Sequence, residues 1–172
     1  MSRGYAAIAL AALLAACATN TPPPPAPHAS AAAWQFSETA DRCTARAELT
    51  ASDDDDPLAM TLTAERGGGM IFAFSHVAHP LVPRPPGFPA TLKFIGAGTS
   101  FTIPAAIAAP HVVDTELPLN DSTLAQAEAL LGGGTLIATG HNRDLPPLTT
   151  AAAGEQGAAF LACARRFAIV SP

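Results

Sequence analysis

Histidines, a run of aspartates and three cysteines are the side chains in this sequence whose types could do chemistry. His76 and His79 stand three apart, a spacing that would put both imidazoles on one face of a helix. His111 and the stretch His141-Asn142-Arg143-Asp144 could then complete a shell around Zn²⁺ or Cu²⁺. The local pattern argues otherwise. His76 ends an alternating strand-like run and His79 precedes Pro80, and on a strand the same spacing sends the two rings to opposite faces. No ligand spacing of a known metal site is present, so the expectation is exposed loop histidines and no metal or other cofactor.

The remaining candidates are weaker. Asp53 to Asp56 invites a Ca²⁺ loop, and counting from Asp54 puts Glu65 at its last position. Ala59 stands where the loop needs a glycine and Leu58 where it needs an oxygen ligand, so a solvated acidic loop is expected. Val112-Val113-Asp114-Thr115 resembles the opening of the aspartic-protease motif. Glu116 replaces the glycine that shapes the catalytic turn, and no second copy follows. Ser75-His76 are only sequence neighbours, and no nucleophile elbow is present. The glycine triplets at 67–69 and 132–134 lack the Lys-Ser/Thr of a phosphate loop and read as turns.

The elements that must position these residues are short. Trp34 and Phe36 alternate, and Cys43, Ala45, Ala47 and Leu49 share one face, which places Cys43 on the first strand of the domain. Leu58-Met60-Leu62 and Met70-Phe72-Phe74, separated by the first glycine triplet, read as a hairpin with an apolar inner face. The proline-rich stretch from His79 to Pro89 reads as a surface crossing rather than a central strand. Leu92–Phe94, Phe101–Ile103, Val112–Leu117 and Leu136–Ala138 are further short strands. Asn120 or Asp121 can cap a helix carrying Leu124, Ala127, Leu130 and Leu131 on one side. A second helix is expected over about residues 155–166, with Ala159, Phe160 and Cys163 inward and Arg165-Arg166 near its C-terminal end. Phe167–Val170 reads as a closing edge strand. Many short strands with two late helices predict an α+β fold, mainly an antiparallel sheet.

The N-terminus carries a different message. Arg3 precedes an apolar run from Tyr5 to Leu14, too short to span a bilayer, which is the order of a secretory signal. It closes on Leu14-Ala15-Ala16-Cys17, which resembles the lipobox of bacterial lipoproteins. The resemblance implies that residues 1–16 are removed and that Cys17 becomes the lipidated first residue, the chain's link to the membrane. Residues 17–33 then form a tether. Four consecutive prolines favour polyproline II, and at about 3.1 Å per residue the stretch could reach roughly 50 Å. Residues 34–172 remain as one domain. Ala18 after the lipid cysteine is similar to lipoproteins sent to the outer membrane, facing the periplasm. The net charge of −5 and the absence of a basic cluster longer than Arg165-Arg166 exclude a nucleic-acid footprint.

Once Cys17 carries lipid, Cys43 and Cys163 are left as a pair in an oxidising compartment, and a disulfide between them is expected. In the chain-entropy description, closing so long a loop stabilises by roughly 4–5 kcal/mol. The aromatic-led first strand, the early cysteine and the late Gly157-Ala-Ala-Phe-Leu-Ala-Cys163 helix resemble proteins of the invasion-associated locus B type. The resemblance covers Trp34–Cys43 and Leu124–Cys163, lacks the second early cysteine such proteins often carry, and implies an envelope protein without a known catalytic role. The expected function is a non-catalytic binding or structural module that contacts another envelope protein. The alternative is a periplasmic metal-binding protein or hydrolase whose site is built from dispersed His and Asp residues.

Overall fold

The computed structural model describes residues 31–49, 57–76, 87–140 and 143–168. Strands β1 (Ala33–Glu38), β2 (Arg42–Leu49), β3 (Leu58–Glu65) and β4 (Gly69–His76) form an antiparallel meander. β4 then pairs not with the next strand but with β7 (Val112–Pro118), which continues to β6 (Thr99–Ala109), β5 (Phe88–Gly96) and β8 (Gly134–Gly140). The two-residue β9 (Arg143–Asp144) and the three-residue β10 (Leu148–Thr150) both pair with the far side of β8.

The sheet closes on itself. Ala32 N–H donates to Thr149 O (2.9 Å) and Ala151 N–H donates to Ala32 O (3.0 Å), a single parallel rung between the first and last strands. Trp34 Nε1–H adds a bond to Ala151 O at 3.1 Å. The rung joins the start of β1 to the end of β10, a stagger of the kind that tilted strands need to close a barrel. Ala32 is 2 % exposed, so the seam begins two residues ahead of Trp34, within the alanine run the sequence assigns to the tether.

Past this rung, helix α2 (Glu155–Phe167) covers the free edge of β1. Gln156 Oε1 accepts the Phe36 N–H at 3.0 Å, and farther along Arg166 pairs with Glu38. Helix α1 (Asp121–Leu131) bridges the ends of β7 and β8 and packs against α2, its Leu131 facing Gly157, where an added Cβ would lie 3.4 Å from Leu131 Cβ and 2.9 Å from Ala153 Cβ. The α1 cap is reciprocal: Thr123 N–H donates to Asn120 Oδ1 (3.1 Å) and Asn120 N–H to Thr123 Oγ1 (3.0 Å). Both helices lie at the rim where the sheet turns tightly.

The core follows the period of two. Met60, Leu62, Phe72 and Phe74 from one half of the barrel meet Leu92, Phe94 and Leu136 from the other, with Phe160 of α2 fully buried among them. Each such side chain contributes roughly 1.5–3 kcal/mol by leaving water. The expected hairpin, both helices and the mainly antiparallel α+β class are present. Leu124, Ala127, Leu130 and Leu131 are buried as expected; Ala159 is only half-buried, while Phe160 and Cys163 are buried.

Several boundaries differ from the sequence expectation. Cys43 lies in the second strand, because Trp34 and Phe36 belong to a separate β1. Phe88 and Pro89 belong to β5 rather than to a surface crossing; Pro89 lies one residue before the β5–β8 ladder begins at Ala90, so its missing N–H costs no bond there. β5 and β6 are longer than the short segments expected, joined by an Ala97-Gly98 turn in which Gly98 takes φ +79°. Phe167 closes α2 instead of opening a strand, and Ile169 and Val170 lie outside the described residues.

Candidate functional site

The alternation that builds the sheet also decides where the chemistry-bearing residues go. Leu49 pairs with Leu58, Leu58 with His76, and Ser75 with Val112, so these strand ends share one rim, opposite the tight turns and helices. Gly140, the last residue of β8, pairs with Ala90 near the start of β5, at that same rim. Asp53–Asp56, His79 and His141 lie in the connections outside the described residues.

His76 continues the inward series Met70, Phe72, Phe74 and is 5 % exposed; the expectation of an exposed loop histidine is corrected at this position. Its N–H donates to His111 O (3.0 Å), and its carbonyl lies 3.2 Å from His111 Nδ1. A carbonyl only accepts, so Nδ1 of the half-buried His111 is the donor in this contact. Two imidazoles on paired backbone do not make a metal shell, and among the described residues no three His, Cys, Asp or Glu side chains gather for one.

The nucleophile and carboxylate candidates separate in the same way. Ser75 points to the outer face while His76 points inward, so the pair cannot act together. Asp114 lies on the outer face of β7, opposite Ala73 of β4 and Ala106 of β6. Partial burial among these small residues raises its carboxyl above the usual value, with no second carboxylate paired to it across either ladder. The glycine turn at 67–69 borders a shallow hollow of about 370 Å³ with Glu116 in its wall, which disfavours phosphate there. A neighbouring hollow of about 330 Å³ is walled by Thr39 and the ion pairs Arg42–Glu65 and Arg66–Asp41.

Cys43 and Cys163 form a disulfide with Cα atoms 6.1 Å apart, both residues fully buried. Cys43 is inward on β2 with Ala45 and Ala47; Cys163 lies on the inward stripe of α2 with Phe160. Next to it Arg66, from the β3–β4 turn, lies 4.9 Å above the ring of Phe167. The α2 end of the barrel is therefore fastened covalently and by charge. Cys17 lies outside the described residues.

One surface escapes motif reading. On the outer face of the β6–β5–β8 sheet, Lys93 sits between Thr102 and Ile137, and Ile95 between Ser100 and Thr135. Thr91 sits between Pro104 and Thr139, and Thr135 meets Thr149 of β10 across the next ladder, hydroxyl to hydroxyl at 3.4 Å. No Asp or Glu occupies these positions. The alternation Thr-Leu-Lys-Phe-Ile was the available signal for this face, but it reads as an ordinary half-buried strand. The chain matches no protein-family model, and no curated protein or solved structure matches it either.

Proposed function

We propose that this protein is a membrane-anchored envelope lipoprotein: lipid on Cys17, a proline-rich tether, and a disulfide-closed barrel that serves as a binding or structural module, on the periplasmic side of the outer membrane. The observation that carries the reading is the signal-like N-terminus closing on Leu14-Ala15-Ala16-Cys17. The buried Cys43–Cys163 disulfide supports it, since such bonds persist in oxidising compartments and are rare in reducing ones. In this reading the lipid on Cys17 attaches the chain to the membrane; no described helix is long and apolar enough to cross one. The test is fractionation of cells carrying Cys17→Ser. The wild-type chain should sediment with membranes and partition into detergent, while Cys17→Ser should remain unprocessed or become soluble. A Cys17→Ser chain that still partitions into detergent like wild type overturns the reading.

A second reading, a periplasmic metal-binding protein or hydrolase, would have to draw its ligands or catalytic groups from the long-loop rim, where His76 and His111 are paired through their main chains and supply at most part of a site. Its test is calorimetric titration of the purified protein with Zn²⁺. Saturable binding abolished by His111→Ala would establish it, and no heat above buffer would remove it.

A further inference from the structure

We propose that the outer face of β6–β5–β8 is a docking surface for an acidic segment of another envelope protein, with Lys93 as its anchoring charge. The proposal rests on the envelope reading only for where the partner resides.

Lys93 is the only lysine in a chain of net charge −5. The other described basic side chains are neutralised within the chain: Arg42 by Glu65, Arg46 by Glu48, Arg66 by Asp41, Arg165 by Glu128 and Arg166 by Glu38. Among the described residues Lys93 has no such carboxylate, and its cross-strand neighbours are Thr102 and Ile137. The face thus offers an uncompensated ammonium with three donors, surrounded by hydroxyls that can donate as well. That donor-rich, carboxylate-free composition complements a group rich in acceptors, and a carboxylate is one. Ile95, two residues along the same face, is 42 % exposed and is the one large apolar side chain so exposed among the described residues. It supplies apolar contact beside the charge.

The size of the face selects the kind of partner. Three strands spaced about 4.8 Å apart and about nine residues long at 3.3 Å each make a surface of roughly 14 by 30 Å. That falls below the roughly 800 Å² per partner of a standard stable interface. A symmetric dimer through this face would also bring the two uncompensated Lys93 charges toward each other, a like-charge juxtaposition that disfavours it. An elongated acidic segment laid across the strands meets both constraints.

The test uses the protein as it is isolated from cells, kept in detergent and labelled with ¹⁵N, with poly-L-glutamate as the anionic probe and isolated peptidoglycan sacculi as the competing one. Poly-L-glutamate should shift the amides of Lys93, Ile95, Thr102 and Ile137, and the binding should weaken as ionic strength rises from about 0.01 to 0.15 M. Lys93→Gln should weaken it about tenfold or more, the loss expected for one charge-assisted hydrogen bond, and Lys93→Arg should restore most of it. Any of four results overturns the proposal: no shifts on this face, shifts centred on Arg165 and Arg166 instead, equal binding by Lys93→Gln, or Lys93-dependent binding of sacculi without binding of poly-L-glutamate. The readout does not depend on where the protein resides, so failure here is distinct from failure of the Cys17→Ser fractionation.

Discussion

Cys43 on β2 and Cys163 on α2, 120 positions apart in sequence, are joined with their Cα atoms 6.1 Å apart, and neither exposes any surface. The bond fixes α2 over the edge of β1, where the barrel is closed by one backbone rung rather than a full ladder. Because both residues are buried, an external thiol reaches the bond only when α2 leaves the sheet. The native protein should therefore resist millimolar dithiothreitol until denaturant is added. The Cys43→Ser/Cys163→Ser double variant should lose about 2–5 kcal/mol in urea unfolding. Rapid reduction of the native protein would mean that α2 opens freely.

The seam makes a second expectation about the tether. Deleting residues 18–30 leaves Ala32 and its bonds to Thr149 and Ala151 in place, so the unfolding midpoint should not change. Extending the deletion through residue 32 removes the two backbone hydrogen bonds of Ala32, each worth about 0.5–1.5 kcal/mol, and should lower it. Comparing urea midpoints of the two truncations checks this; equal midpoints would show that the rung contributes nothing.

Phe94 sets a tight constraint on two glycines. A Cβ on Gly96 would come within 2.7 Å of the Phe94 ring, and one on Gly134 within 2.5 Å of Ile95 O. Both Gly→Ala changes should destabilise by about 1–3 kcal/mol. Phe94→Leu should partly relieve Gly96→Ala, because a side chain is the obstacle there. It should not relieve Gly134→Ala, where a backbone carbonyl blocks the way. A double-mutant cycle measures the coupling.

Asp114 gives a pH dependence of defined sign. Desolvation raises its folded pKa above the unfolded value of 3.8. The folded state therefore binds the proton more tightly than the unfolded state, and the stability this contributes is present below 3.8 and lost as pH rises through the folded pKa. Asp114→Asn should raise the urea midpoint at neutral pH, and the gain should shrink toward zero as pH falls below the unfolded value. A gain that does not vary with pH would assign the effect to packing rather than ionisation.

Much of the sheet was legible because its strands alternate cleanly. Met60 and Leu62 against Phe72 and Phe74 read as a hairpin, and Asn120 with its Leu124, Ala127 and Leu130 stripe read as a capped helix. The middle was less legible for physical reasons. Ala105, Ala106, Ala108 and Ala109 carry little hydrophobic contrast, so the second half of β6 shows no period, and Pro104 interrupts what is in fact a strand. Pro146-Pro147 separate β9 from β10 and hide both. The closing rung at Ala32 lies in an alanine run whose small side chains look unpackable; its contribution is backbone pairing across more than a hundred residues, which leaves no local mark. Lys93 and its threonines were equally invisible, since an uncompensated charge is recognised only once its neighbours on adjacent strands are known.

Mass spectrometry of the protein extracted from membranes and digested without reduction tests most directly whether the chain is an anchored, disulfide-closed envelope protein. The expected result is an N-terminal peptide that begins at Cys17 and carries acyl chains, together with Cys43 and Cys163 peptides recovered as one linked species. A chain that retains Met1 or is cleaved elsewhere, with Cys17 as an unmodified thiol, would contradict it.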